Sequence, residues 1–159
     1  MRPRIAVMGT GAVGAYAGGH MAQAGEDVTF LDPWPEHVER MRSHGLRVSH
    51  ITGEEFTTKV RALHLTDAQL LAKEAPIDIA FVCMKSYDTA WATRLISQYL
   101  APAGYVVSLQ NCMNEETIAA AGSSGRWYNT RLQEQDGQRL VSRAAGANWF
   151  VNLPSVSIV

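Results

Sequence analysis

Arg4-Ile5-Ala6-Val7-Met8-Gly9-Thr10-Gly11-Ala12-Val13-Gly14 is the stretch whose reading decides the fold. Arg4 to Met8 is a short apolar run, too brief for a helix and closed by glycine, which is the pattern of a buried strand. GxGxxG follows immediately. Residues 12–24 are rich in small side chains and end at Gly25, as a helix would. In a strand–turn–helix of this kind Gly9 permits the tight turn, Gly11 lets backbone approach a pyrophosphate, and Gly14 lets helix and strand pack closely. The helix N-terminus adds free N–H groups and positive dipole. Gly9, Thr10, Gly11, Ala12, Val13 and Gly14 are therefore candidate contacts for a dinucleotide.

The chain on either side supports this. A second strand over residues 27–31 ends in Asp32, which lies 18 positions after Gly14. An acid about 20 residues beyond the glycines accepts hydrogen bonds from the adenosine ribose, and its charge repels a 2′-phosphate. Asp32 thus favours NAD(H) over NADP(H). The plainer reading, a turn aspartate ahead of Pro33, stands beside it. Pro33 and Pro35 break the strand and open a helix over residues 36–43, with Gly45 as its stop. Residues 46–51 and 56–63 alternate weakly and read as a hairpin or as two edge strands. A short helix is expected over residues 66–73 and a continuous apolar strand over 77–83, as in a sheet covered on both faces. A helix over 87–100, ended by Pro102 and Gly104, a strand over 105–109, and a helix over 114–121 with Asn114 as N-cap follow. Strands alternating with helices imply an α/β, Rossmann-like, doubly wound and mostly parallel sheet.

Composition narrows the class. The chain has 159 residues, 47% hydrophobic and 18% charged, enough to bury a core without staples. A formal net charge of −1 argues against nucleic-acid or anionic-membrane partners. Cys83 and Cys112 have no CxxC spacing or partnering histidine, so neither a disulfide scaffold nor a metal site is expected, and a reducing cytoplasm fits. His20, His44, His50 and His64 show no ligand spacing, and Trp34, His37 and Trp91 read as packing residues. The amino-terminal run shows neither signal-peptide order nor a membrane-length apolar stretch. From Ser123 the character changes: lysine disappears and no period persists. A helix over residues 140–150 and a strand over 156–159 are the expectations there.

Three segments together resemble the ketopantoate reductase (2-dehydropantoate 2-reductase) family. They are residues 5–16, Met84-Lys85-Ser86-Tyr87-Asp88-Thr89, and Val107-Ser108-Leu109-Gln110-Asn111. The resemblance covers about residues 4–122. It implies hydride transfer from a reduced nicotinamide to the keto group of a small 2-keto acid. Asn111 matches the family asparagine that contacts both the nicotinamide end of the cofactor and the substrate, and Lys85 matches a lysine near the cofactor. Asp32 departs from the NADP-suited features of many members, and Cys112 stands where the family usually has glycine.

The family also has an all-helical second domain that supplies the general-acid lysine. The lysines here are Lys59, Lys73 and Lys85, and none sits in a segment resembling that one. The reading is therefore a nucleotide-binding domain over residues 1–122 and an atypical tail over 123–159, truncated or frame-shifted. No catalytic residue is assigned, the chain is expected to be inactive alone, and the exposed cleft floor is expected to favour self-association. Two alternatives remain: a non-catalytic NAD(H)-binding module, and a methyltransferase using its glycine turn for a methionine-derived ligand.

Overall fold

A computed structural model describes residues 2–50, 52–111 and 114–122, together with four strands over 126–129, 133–135, 138–142 and 148–150. β1 (Arg4–Met8), β2 (Asp27–Asp32), β5 (Arg61–His64), β6 (Ile77–Val82), β7 (Leu100–Ser108) and β8 (Arg126–Asn129) form one sheet in the order β5-β2-β1-β6-β7-β8. Every pairing in it is parallel. The chain works outward from β1 through β2 to β5, then crosses to β6 and continues through β7 to β8. The strand order reverses between β1 and β6, and open α/β sheets bind ligands at the carboxyl side of that point.

Alternation along β1 creates two cores. Ile5 and Val7 point to one face, packing with Val28, Phe30, Val38, Met41, Leu46 and Val48 beneath α1 (Ala12–Gln23) and α2 (Pro35–His44). Ala6 and Met8 point to the other, with Leu31, Leu71, Val82, Ala92, Ile96 and Ile118 beneath α3 (Thr89–Ser97) and α4 (Glu115–Ala121). Phe30, Met8 and Leu31 are fully buried. Each such side chain contributes about 1.5–3 kcal/mol relative to exposure. A strand covered on both faces has no polar side to show, which explains the unbroken apolar runs.

The elements depart from expectation where backbone pairing overrides local pattern. The segment over residues 46–63 is a hairpin, but its second run divides: β3 (Leu46–Ser49) pairs antiparallel with β4 (Glu55–Thr58), while β5 joins the main sheet beside β2. The expected helix over 66–73 is a 3₁₀ segment (Leu65–Lys73), and the helix expected over 87–100 is shorter than its pattern. Ser86–Asp88 is a 3₁₀ turn and α3 stops at Ser97, because Tyr99 accepts a hydrogen bond from the Ile77 N–H and Leu100 begins pairing with Ile77. Asn114 precedes α4 without capping it. Its side chain donates to the carbonyl of Asn111, at 2.8 Å, instead. The helix expected over residues 140–150 is corrected: β10 (Gln138–Ser142) and β11 (Asn148–Phe150) are strands, forming an antiparallel sheet with β9 (Gln133–Gln135). The short apolar run Leu140-Val141 suits a strand as well as a helix, and such runs do not discriminate. Residues 156–159 and Cys112 lie outside the described residues.

Candidate functional site

The carboxyl ends of β1, β2, β6 and β7 gather four loops. Gly9 begins the first with φ +92°, and a Cβ there would lie 2.4 Å from the Met84 sulfur and 3.2 Å from the Met84 nitrogen. The glycine turn therefore rests on the backbone that leaves β6. Gly14 is closer still, since a Cβ would fall 1.9 Å from the Gly9 carbonyl oxygen and 3.1 Å from the Cys83 Cβ. Gly11 is the contrast. It is exposed, its φ of −65° suits any residue, and a Cβ would meet nothing within 4 Å.

Packing therefore does not explain the missing side chain at Gly11, and the open space beside it leaves room for a ligand to approach. Gly11 is the N-cap of α1 with no side-chain cap, and no acid stands in the first turn. The first amides of a helix lack intrahelical acceptors, and the dipole there is positive. An anion seated against Gly11 and the amides of Ala12, Val13 and Gly14 would satisfy both. The residues present thus fit the diphosphate of a dinucleotide.

Thr10 and Asp32 are bonded to each other. The Asp32 Oδ2 accepts from the Thr10 N–H at 2.7 Å and from its hydroxyl, and Oδ1 accepts from the Trp34 N–H at 3.0 Å. Asp32 is buried, its charge supported by these three donors, and so joins the end of β2 to the glycine turn. It is a turn aspartate and a fixed negative charge at once. His37 Nε2 lies 3.1 Å from the Thr10 carbonyl oxygen, and the Trp34 indole beyond it is 64% exposed. Sequence reading assigned both to packing. His37 instead braces the turn, a contact across 27 positions that no local pattern signals.

Lys85 and Asn111 meet through their neighbours. The Ser86 hydroxyl donates to the Asn111 carbonyl at 3.1 Å, and Asn114 Nδ2 donates to the same oxygen. Asn111 is thus pinned by its backbone, while its exposed amide side chain makes no hydrogen bond among the described residues. The Lys85 ammonium is exposed and likewise unpaired among them. Lys85 and Asn111 thus lie on the loops that leave β6 and β7, each with an exposed side chain. Cys83, beneath the turn, is a poor nucleophile because burial pushes its thiol up to about 12. Among the described residues no three His, Cys, Asp or Glu side chains gather as metal ligands, and no helix is long and apolar enough to cross a membrane.

Comparison with known proteins agrees with this geometry. The family model described as Ketopantoate reductase PanE/ApbA matches residues 5–139. The 2-dehydropantoate 2-reductase of Halobacterium salinarum is 37% identical over 118 residues, covering 74% of this chain and 37% of that protein. The Pyrococcus horikoshii counterpart is 32% identical over 120 residues, covering 75% and 36%. The chain thus spans under two fifths of these relatives' lengths. Among solved structures, a PanE/ApbA family ketopantoate reductase from Ralstonia eutropha superposes with a TM-score of 0.69 at 31% identity, covering 79% of this chain and 40% of that one. A D-mandelate dehydrogenase solved with NADH and anilino(oxo)acetate gives 0.69 at 25% identity, covering 79% and 39%. The parallel sheet, the glycine turn at its switch point and the match over residues 5–139 come to one conclusion: the chain belongs to the ketopantoate reductase family.

Proposed function

We propose that this chain binds NADH across the carboxyl edge of its sheet and is the nucleotide-binding part of an oxidoreductase that reduces a small 2-keto acid. The observation that carries the reading is the pairing of an open, uncapped helix N-terminus at Gly11 with an Asn111 held by its backbone and exposed at its side chain. Residues 1–122 form the nucleotide-binding unit, to which β8 adds a strand, and the protein works in the cytoplasm. The bound nicotinamide supplies the hydride.

The protein's own residues bind and orient. The amides of residues 11–14 hold the diphosphate, and Thr10 keeps Asp32 in place to accept from a ribose hydroxyl through its remaining lone pair. The same carboxylate disfavours a 2′-phosphate. A negative charge facing a phosphate at intermediate dielectric costs on the order of 1–4 kcal/mol, and residues 33–39 hold no Lys or Arg to offset it. The Asn111 amide both donates and accepts, which suits holding a carboxamide and a substrate oxygen in register. Lys85 adds a positive charge beside it.

A specific observation favours a second reading, a dinucleotide-binding module without turnover. Lys59 lies between β4 and β5 and Lys73 ends the 3₁₀ segment after β5, so Lys85 alone of the lysines stands at the edge. The experiment is a titration that follows dihydronicotinamide fluorescence, with Asn111→Ala and Lys85→Ala beside the unmodified chain. Saturable enhancement that either substitution weakens several-fold supports the assignment. Enhancement indifferent to both would place the nicotinamide elsewhere.

A further inference from the structure

We infer that Gln110 is a positioning residue, whose side chain locks the Lys85 loop to the Asn111 loop so that the nicotinamide end of the site keeps one shape. The inference rests on the reading that the chain binds NADH. Gln110 leaves the carboxyl end of β7 and reaches across to the segment leaving β6. Its Nε2 donates to the Met84 carbonyl and to the Thr89 hydroxyl, both at 2.8 Å, with the Lys85 carbonyl at 3.4 Å. The Thr89 hydroxyl, fully buried, in turn donates to the Ser86 carbonyl at 2.8 Å. On the other side of the amide, Oε1 accepts from the Ser108 hydroxyl at 3.1 Å.

Both ends of the amide are therefore used, and in one orientation only. Two backbone carbonyls face Nε2, so an acceptor could not replace it. Met84 is also the residue on which the glycine turn rests at Gly9. Through Gln110 the loop after β7 is tied directly to the loop after β6. The Ser86–Asn111 hydrogen bond is a second tie between the last two. Neither tie touches the adenosine end, where Asp32 and Thr10 are bonded to each other.

This separation defines the test. NADH and ADP-ribose share the adenosine and the diphosphate, and only NADH carries the nicotinamide. Calorimetric titration of the 159-residue chain with each ligand would compare the unmodified protein with Gln110→Leu, Gln110→Glu and Ser86→Ala. The unmodified chain should bind NADH more tightly than ADP-ribose. Gln110→Leu and Gln110→Glu should weaken NADH about tenfold while ADP-ribose stays within about twofold. Ser86→Ala, an exposed hydroxyl whose loss leaves the core intact, should give a smaller selective loss. Binding of both ligands by the unmodified chain, with Gln110 variants that lower both alike or neither, overturns the positioning role while leaving the function standing. Should the Gln110 variants not fold, Ser86→Ala without selective loss overturns it equally. Failure of the unmodified chain to bind either ligand overturns both readings.

Discussion

Gly11→Val separates ligand binding from folding. In the structure a Cβ at this position meets nothing within 4 Å, and φ is −65°. The fold should therefore tolerate valine, losing within about 1 kcal/mol for a poorer N-cap. The branched side chain would instead occupy the space where the diphosphate meets the helix amides. Charge-assisted hydrogen bonds are worth about 1.5–3 kcal/mol each, so displacing one weakens NADH roughly tenfold or more. Gly14→Ala is the matched control. Its Cβ would lie 1.9 Å from the Gly9 carbonyl oxygen, so backbone must move and stability should fall by about 1–3 kcal/mol or more. Calorimetry with NADH and thermal melts by circular dichroism read the two effects apart. Unchanged NADH affinity in a folded Gly11→Val protein would show that no diphosphate sits against this turn, and a Gly14→Ala protein that melts like the original would show that the turn yields without cost.

Asp32→Ser should narrow the preference for NADH over NADPH, improving NADPH and weakening NADH, with some loss of stability because three donors lose their acceptor. Equal binding of both cofactors by the unmodified chain would show that another group offsets the carboxylate. Far from the site, hydrogen bonds from Arg61, and then from Arg4, hold the Glu74 carboxyl at about 2 against 4.5 when free. Being depressed by folding, it contributes in full above pH 4.5, and the contribution is lost as pH falls towards 2. At this partly exposed site it is worth about 1 kcal/mol. Glu74→Gln should therefore destabilise by about that much in urea melts at pH 7 and by almost nothing near pH 2. A difference that persists in acid would contradict the ion-pair origin. Supplied with ketopantoate, the 159 residues alone should not oxidise NADH, since a general acid contributes about 10²–10⁴-fold and Lys85 is the sole lysine at the edge. Turnover near 1 s⁻¹, within the usual enzyme range, would make Lys85 or an unrecognised group the proton donor.

Lys85 and Asn111 stood out through the resemblance of residues 84–89 and 107–111 to the ketopantoate reductase family, whereas local chemistry marks the glycine turn and Asp32, glycines before a helix and an acid at a strand end. The two-faced core was legible for a similar reason, since β6 carries no polar face for water. What escaped depends on partners distant in sequence. Gln110 reaches Met84 across 26 positions and His37 reaches Thr10 across 27. α3 yields its last turn to a pairing between Leu100 and Ile77. The division at Lys59-Val60 is of the same kind, because β4 and β5 answer to different neighbours, β3 and β2. Beyond residue 122, runs such as Leu140-Val141 are too short for periodicity to distinguish strand from helix.

Isothermal titration of the folded chain with NADH tests whether a nicotinamide dinucleotide is held at the switch point between β1 and β6. Saturable one-to-one binding with a Kd on the order of 1–100 μM is expected, in the range where enzymes meet their substrates, together with weaker binding of NADPH. Absence of saturable binding up to about 1 mM, a binding free energy weaker than about −4 kcal/mol, in protein shown to be folded by circular dichroism would contradict it.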